Sequence, residues 1–408
     1  MGDWRALAAV VVCAILSACA AESDPAGVPA TPEATETVPQ APTEPPTPTP
    51  TPTPTPPPEP REFTIVATGD VLLHERLWNQ ARQDAAETGN TPKDFAPQLA
   101  SISPIVGGAD LSICHLETPL APDGGPYAGY PLFSAPPQIV PALVETGYTA
   151  CTTASNHTFD QGAAGVDRTL DFLDDAGVVH AGSARTEDEA GEPTLHDVDT
   201  TAGTVTVGLL SYTYGFNGIP YPDGDEWRGN LIDEDTILAE AVAARELGAE
   251  VVVLAMHWGT EYAHEPNEQQ RELAPRLISS PDIDLILGHH AHVVQPVENF
   301  DGQWVVYGMG NLMHAQNRPD DPRHEGLLVR FTLTEDVDTG EFTTSRAEYL
   351  PVFQTSDFPV GVVDVAAALD GGDSGTATTA RLEIAMDRTT EIVGRRGASD
   401  DGLELLAD

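Results

Sequence analysis

Five short apolar runs in this chain each stop on a side chain that can bind a metal ion. They lead to Asp70, to Glu117, to Asn156-His157, to His257, and to His290 and His292. The runs are rich in β-branched residues and break off at glycine or polar residues, so they read as buried strands. Between them lie stretches with helical spacing, such as Val166, Leu170 and Leu173 before Gly177. Strands alternating with helices call for an α/β fold with largely parallel strands. Such sheets bind ligands outside the carboxyl ends of their strands. The pattern therefore gathers these polar side chains along one edge.

Taken singly, each residue has an ordinary reading. Asp70 after Gly69 suits a turn, Asn156 suits a loop cap, and His257 suits a core histidine bonded to a carbonyl. Taken together, two carboxylates, several imidazoles and one amide form a nitrogen and oxygen donor set without thiolate. That set suits manganese, zinc or iron better than magnesium. It exceeds the donors one tetrahedral ion needs. It fits two divalent ions bridged by a carboxylate, an arrangement that activates water and clamps a phosphoryl group. A histidine at the mouth is placed to protonate a leaving group.

The N-terminus carries different information. Arg5 precedes the apolar run Ala6 to Leu16, followed by Leu16-Ser17-Ala18-Cys19. The run is too short to span a bilayer and has the form of a signal-peptide core. Residues 1–19 resemble a lipoprotein signal with a lipobox, Cys19 being the lipidated residue; cleavage of an ordinary secretory signal near Ala18 or Ala20 is the alternative. Residues 20–60 are rich in proline and threonine, with an unbroken Thr-Pro repeat from Thr47 to Pro56. Such a segment cannot bury a core and reads as a disordered, extended stalk. Residues 61–356 form one domain, within which 183–200 read as a surface excursion and Phe342 to Tyr349 as a sheet edge. Residues 357–408 read as a partly helical extension with a mobile tail. The expected location is the outer face of the bacterial cytoplasmic membrane, held by a lipid anchor. Cys114 and Cys151 lie in apolar runs, so a disulfide and a pair of buried hydrophobes are both open. With 64 acidic against 19 basic residues and a formal charge of -45, the chain lacks the basic face of a nucleic-acid binder.

The strings TGDVLL, LETPL, FSAPP, ASNHTFDQG, SYTYGFNG, HWGTEY, LGHHAHVVQP and YGMGNLM resemble, in order, the dispersed motifs of the calcineurin-like metallophosphoesterases. Their fuller form is similar to the CapA branch, proteins of poly-γ-glutamate capsule synthesis. The resemblance implies a four-layer αββα sandwich, a metallo-dependent phosphatase-like fold. Carried over, Asp70 and His292 face one metal position, Asn156, His257 and His290 face the other, and Glu117 bridges. His157 is the general-acid candidate and joins Asp70 as a catalytic residue. Phe133, Asn217, Trp258 and Tyr262 shape the pocket, with Asn311 in the closing Gly-Asn element. The sequence departs from the pattern in three places. Leu72 stands where a histidine is usual, with His74 as a possible substitute. His115 replaces an asparagine and is a possible extra ligand. Leu312 follows Asn311 in place of phenylalanine. His289 is not required by the motif and reads as a rim or packing residue.

The implied function is a role in synthesis or processing of poly-γ-glutamate or another capsule polymer, as a metal-dependent hydrolase of phosphoester or γ-glutamyl amide bonds. The alternative is a non-catalytic assembly or export component on the same scaffold. Expected partners are an anionic capsule polymer or a small phosphoester, and the membrane through the anchor. The oligomeric state is left open.

Overall fold

The computed structural model describes residues 59–89, 92–315 and 321–407. The signal, Cys19 and nearly all of the stalk lie outside the described residues. The chain begins with β1 (Glu62–Val71), α1 (Glu75–Thr88), α2 (Ala96–Leu99), α3 (Ser103–Val106), β2 (Leu111–Leu116), α4 (Ile139–Thr146), β3 (Ala150–Thr152), α5 (Gly162–Asp175) and β4 (Val179–Ala181). It continues through α6 (Glu187–Ala190), β5 (Thr194–Thr200), β6 (Gly203–Thr213), α7 (Glu234–Glu246), β7 (Val251–His257), α8 (Glu268–Ile278), β8 (Leu285–His289), β9 (Val297–Phe300) and β10 (Gln303–Val306). It closes with β11 (Asn311–Met313), β12 (Glu325–Glu335), β13 (Phe342–Gln354), β14 (Val362–Asp364), α9 (Val365–Leu369), α10 (Thr379–Val393) and β15 (Leu403–Leu405).

Two sheets result. The first runs β14-β13-β12-β1-β2-β3-β4, with β11 beside β1 and β15 beside β13; the second runs β5-β6-β7-β8-β10-β9. The centre of each is parallel, β1 to β4 in one and β6, β7, β8 and β10 in the other. The flanks are antiparallel: β12 on β1, β5 on β6 and β9 on β10.

Strand alternation makes the layers, because successive side chains leave opposite faces of a sheet. Ile65, Ala67 and Ile113 meet Val207, Val253 and Leu287 between the sheets. Val66, Cys114 and Leu116 face outward onto Leu77, Leu143 and Leu170 of the helices α1, α4 and α5. On the far side Leu254 and Ile286 pack on Ile237 and Leu273 of α7 and α8. Helix, sheet, sheet, helix is the four-layer order expected.

Three stretches differ from the sequence reading. The excursion at 183–200 contains the edge strand β5, whose alternation is masked because only Val198 in it is buried. The expected edge β13 has neighbours on both sides, since β14 and β15 pair with it beyond β12. The last residues, read as a mobile tail, supply β15, and Leu382 and Ala385 of α10 close a small core with Phe353 and Val363.

Cys114 and Cys151 are directly opposed on β2 and β3 and form a disulfide with Cα atoms 4.5 Å apart. Both are also fully buried, so the two sequence readings hold together. Replacing both with alanine is expected to lower the unfolding free energy by roughly 3–4 kcal/mol, the loop-entropy value for this spacing. A lower urea midpoint would show it.

Candidate metal centre

The carboxyl ends of β1, β2 and β3 meet those of β7 and β8 at one edge of the sandwich. Asp70 in β1 lies opposite His115 on one side and Asn311 on the other. Glu117 follows β2, Asn156 and His157 follow β3, His257 ends β7, and His290 and His292 follow β8. Two glycines let the strand ends come this close. A Cβ on Gly69 would sit 2.3 Å from the Gly310 carbonyl oxygen, and one on Gly288 would sit 1.9 Å from that of Tyr307. Any side chain there would push the edge apart, so the glycine before each ligand motif is a packing requirement.

Asp70 is fully buried. His289 Nδ1 lies 2.9 Å from its Oδ1. His292 Nδ1 lies 3.2 Å from its Oδ2, which also accepts from the His290 backbone N–H at 3.2 Å. Burial pushes this carboxyl up, but the bonds from His289 and His292 outweigh it and hold it well below the usual range. Ligand atoms of Asp70, Glu117 and His292 lie within 4.8 Å of one another, as do those of Glu261, His290 and His292. His292 belongs to both groups, so the two positions adjoin. His290 and His292 have φ of 82° and 55°, a region costly for side chains other than glycine and typical of functional sites.

The chemistry of these donors fits a cation. Among the described residues, both Glu117 carboxylate oxygens are buried without a hydrogen-bond partner, as is His290 Nδ1. An unpaired buried carboxylate is among the costliest groups a protein can hold, and burial pushes Glu117 up to about 7. Its nearest imidazole, His292 Nε2, is 3.7 Å away. Burial pushes His292 down, but the charges of Glu117 and Asp70 and the bond to Asp70 lift it to about 9. Burial pushes His290 down to about 3 and His257 well below its ordinary value, leaving neutral rings, the form that binds metal.

The raised Glu117 has a measurable consequence in metal-free protein. Its folded state holds the proton up to about pH 7 while the unfolded chain releases it near 4.5. The folded form therefore binds more protons in that window, and stability falls as pH rises through it. Relative to Glu117→Gln, wild type in chelator is expected to lose stability between about pH 4.5 and 7. Urea titrations of both proteins across that range check it.

Asn156 Oδ1 lies 3.0 Å from His257 Nε2, and Asn156 Nδ2 donates to Asn217 Oδ1 at 3.3 Å. The His257 and His290 rings are 4.8 Å apart. His157 Nδ1 bonds Asp160 Oδ2 at 2.7 Å, and the same oxygen accepts from Phe133 N at 2.7 Å. Asn311 Oδ1 takes His292 Nδ1 at 3.0 Å. Tyr262 lies along His292 with ring centres 6.1 Å apart.

Several residues fall elsewhere than expected. Trp258 does not line the pocket: it is fully buried and donates from Nε1 to the Tyr307 carbonyl oxygen, in the layer beneath α8. His74 does not replace the missing histidine. Its Nδ1 bonds the Leu72 carbonyl oxygen and its ring abuts Phe133, outside both donor groups. Of the two readings of His289, packing holds and the rim does not: it is 2% exposed, bonded to Asp70 and stacked on His115 at 4.0 Å. Asp70, His115 and His289 form a third cluster, but both nitrogens of His115 already have partners, so it reads as a support. Glu261, Asp160 and Tyr214, whose ring is 4.4 Å from that of His290, were not singled out in sequence. HWGTEY and NHTFDQG contained the two acids, spaced from their histidines by turns.

The profile of the bacterial capsule synthesis protein PGA_cap matches residues 64–316, a span holding every candidate residue from Asp70 to Asn311. The PGA biosynthesis protein CapA of Bacillus subtilis is 29% identical over 203 residues, covering 50% of this chain and 51% of its own length. The capsule biosynthesis protein CapA of Bacillus anthracis is 27% identical over 186 residues, 45% of this chain and 44% of its own. The chain thus spans about half the length of the curated relatives it matches. The solved calcineurin-like phosphoesterase YfkN from Bacillus subtilis aligns with a TM-score of 0.43 and 13% identity, over 81% of this chain and 97% of that one. By the profile match over most of its length, the chain belongs to the bacterial capsule synthesis protein PGA_cap family.

Proposed function

We propose that this protein is a metal-dependent hydrolase acting outside the cytoplasm in the synthesis or processing of an anionic capsule polymer. The observation that carries it is Glu117, a buried carboxylate with no hydrogen-bond partner among the described residues, in the donor group with Asp70 and His292. Asp70, Glu117 and His292 would hold one divalent ion, and Asn156, His257 and His290 the other. Bound ions would supply Lewis acidity and an activated water. The chain's own residues do the rest. Asn311 and Asp70 fix the His292 ring. Asp160 fixes His157 through Nδ1, leaving Nε2 to deliver a proton to a leaving group. Tyr214 and Tyr262, both about half exposed, flank the rings at the mouth.

The Cys114–Cys151 disulfide supports an oxidising compartment, and Leu-Ser-Ala-Cys with the Thr-Pro stalk supports a lipid anchor. A second reading, a non-catalytic assembly component, is favoured by Leu72 at a usual ligand position with His74 turned to Leu72 and Phe133. Elemental analysis of purified protein, with assays on small phosphoesters and γ-linked glutamate oligomers, tests the proposal. Bound divalent metal and turnover lost in His257→Ala and His290→Ala are expected. Polymer production surviving both substitutions would favour the second reading.

A further inference from the structure

His115 sits in an unbroken line of hydrogen bonds. Asn156 Oδ1 lies 3.0 Å from His257 Nε2. His257 Nδ1 lies 2.9 Å from His115 Nε2. His115 Nδ1 lies 2.8 Å from Thr152 Oγ1, and Thr152 Oγ1 lies 3.4 Å from the Cys114 carbonyl oxygen. The line crosses between the sheets, since His115 and Thr152 are paired on β2 and β3 while His257 ends β7. All four side chains are buried, so water does not interrupt it.

A line of neutral imidazoles can be satisfied in two directions. Asn156 turns its NH2 toward Asn217 and its Oδ1 toward His257, so toward His257 it offers an acceptor. Without an ion, His257 Nε2–H donates to Asn156, His115 Nε2–H donates to His257 Nδ1, and the Thr152 hydroxyl donates to His115 Nδ1. An ion on His257 Nε2 needs that lone pair. The proton must then sit on Nδ1, and every bond behind it turns round: His257 Nδ1–H donates to His115 Nε2, His115 Nδ1–H to Thr152 Oγ1, and the hydroxyl to the Cys114 carbonyl. Each direction leaves one donor and one acceptor in the His257–His115 and His115–Thr152 pairs, and neither changes the net charge. A carboxylate or carbonyl behind a ligating histidine fixes one tautomer; an imidazole backed by a hydroxyl accepts both.

We propose that His115 is a positioning residue for His257, and that binding of a divalent ion reverses the tautomers of His257 and His115 together. This rests on the metal-centre reading. The test is 15N–1H correlation spectroscopy of the histidine rings in disulfide-intact protein, chelated and then loaded with zinc, the His115 signals being identified by their loss in His115→Phe. The proton is expected on Nε2 of both rings without zinc and on Nδ1 of both with it. Zinc bound with an unchanged His115 tautomer would overturn this inference alone. No zinc bound would overturn the metal-centre reading with it. His115→Phe keeps the stack on His289 and removes both nitrogens, so calorimetry is expected to show zinc bound about 10–100-fold more weakly; wild-type affinity in a folded variant would also overturn it.

Discussion

Asp70→Asn is expected to abolish the thermal stabilisation that manganese or zinc gives the wild type. The carboxylate does two jobs that an amide cannot. It brings negative charge to the group formed with Glu117 and His292, and it accepts from His289, His292 and the His290 backbone. An asparagine has one acceptor oxygen, and its NH2 would face an N–H donor. Ion at a hundred times its dissociation constant adds about 2.7 kcal/mol to a folded state, worth several degrees of melting temperature in a domain of this size. Calorimetric scans with and without ion, after chelation, are expected to separate by that amount for wild type and to coincide for Asp70→Asn. An undiminished shift in the variant would remove Asp70 from the centre.

His157→Ala is expected to slow turnover of alkyl phosphoesters by about 10²–10⁴-fold, the usual contribution of a positioned general acid. The loss should be far smaller on an aryl ester whose leaving group departs without a proton. That contrast separates proton delivery from damage to the pocket, which would slow both substrates alike. Asp160→Asn removes the charge that steadies the imidazolium while keeping a side chain of the same size. It is expected to give an intermediate loss with the same leaving-group preference. Steady-state kinetics on the two ester classes check both variants.

Much of the site was legible because buried parallel strands announce themselves as apolar runs, and their ends carry the ligands. Val251 to His257 needed no more than that. What the runs cannot say is which of several adjacent side chains turns inward once the strand ends. His289, His290 and His292 all enter the site, with positive φ at His290 and His292 and the His290 N–H held by Asp70. Trp258 was placed wrongly although alternation along β7 could have corrected it: with His257 facing the site, the next side chain faces the other way. The short strands β9, β11 and β15 left no mark, because they are three or four residues long and lack the longer apolar run that surrounds β3. Leu72 and His74 show the opposite limit, where a family pattern suggests a substitution of roles that the local backbone does not allow.

The donors come from both halves of the sandwich, with Asp70, Glu117 and Asn156 on one sheet and His257, His290 and His292 on the other. The group of Asp70, Glu117 and His292 takes its donors from both sheets, so capture there waits until the two have closed on each other. A chain exported unfolded would leave the cell interior empty-handed. The ion it finally holds would then reflect what the exterior supplies, and cytoplasmic metal stores would have no say in the choice.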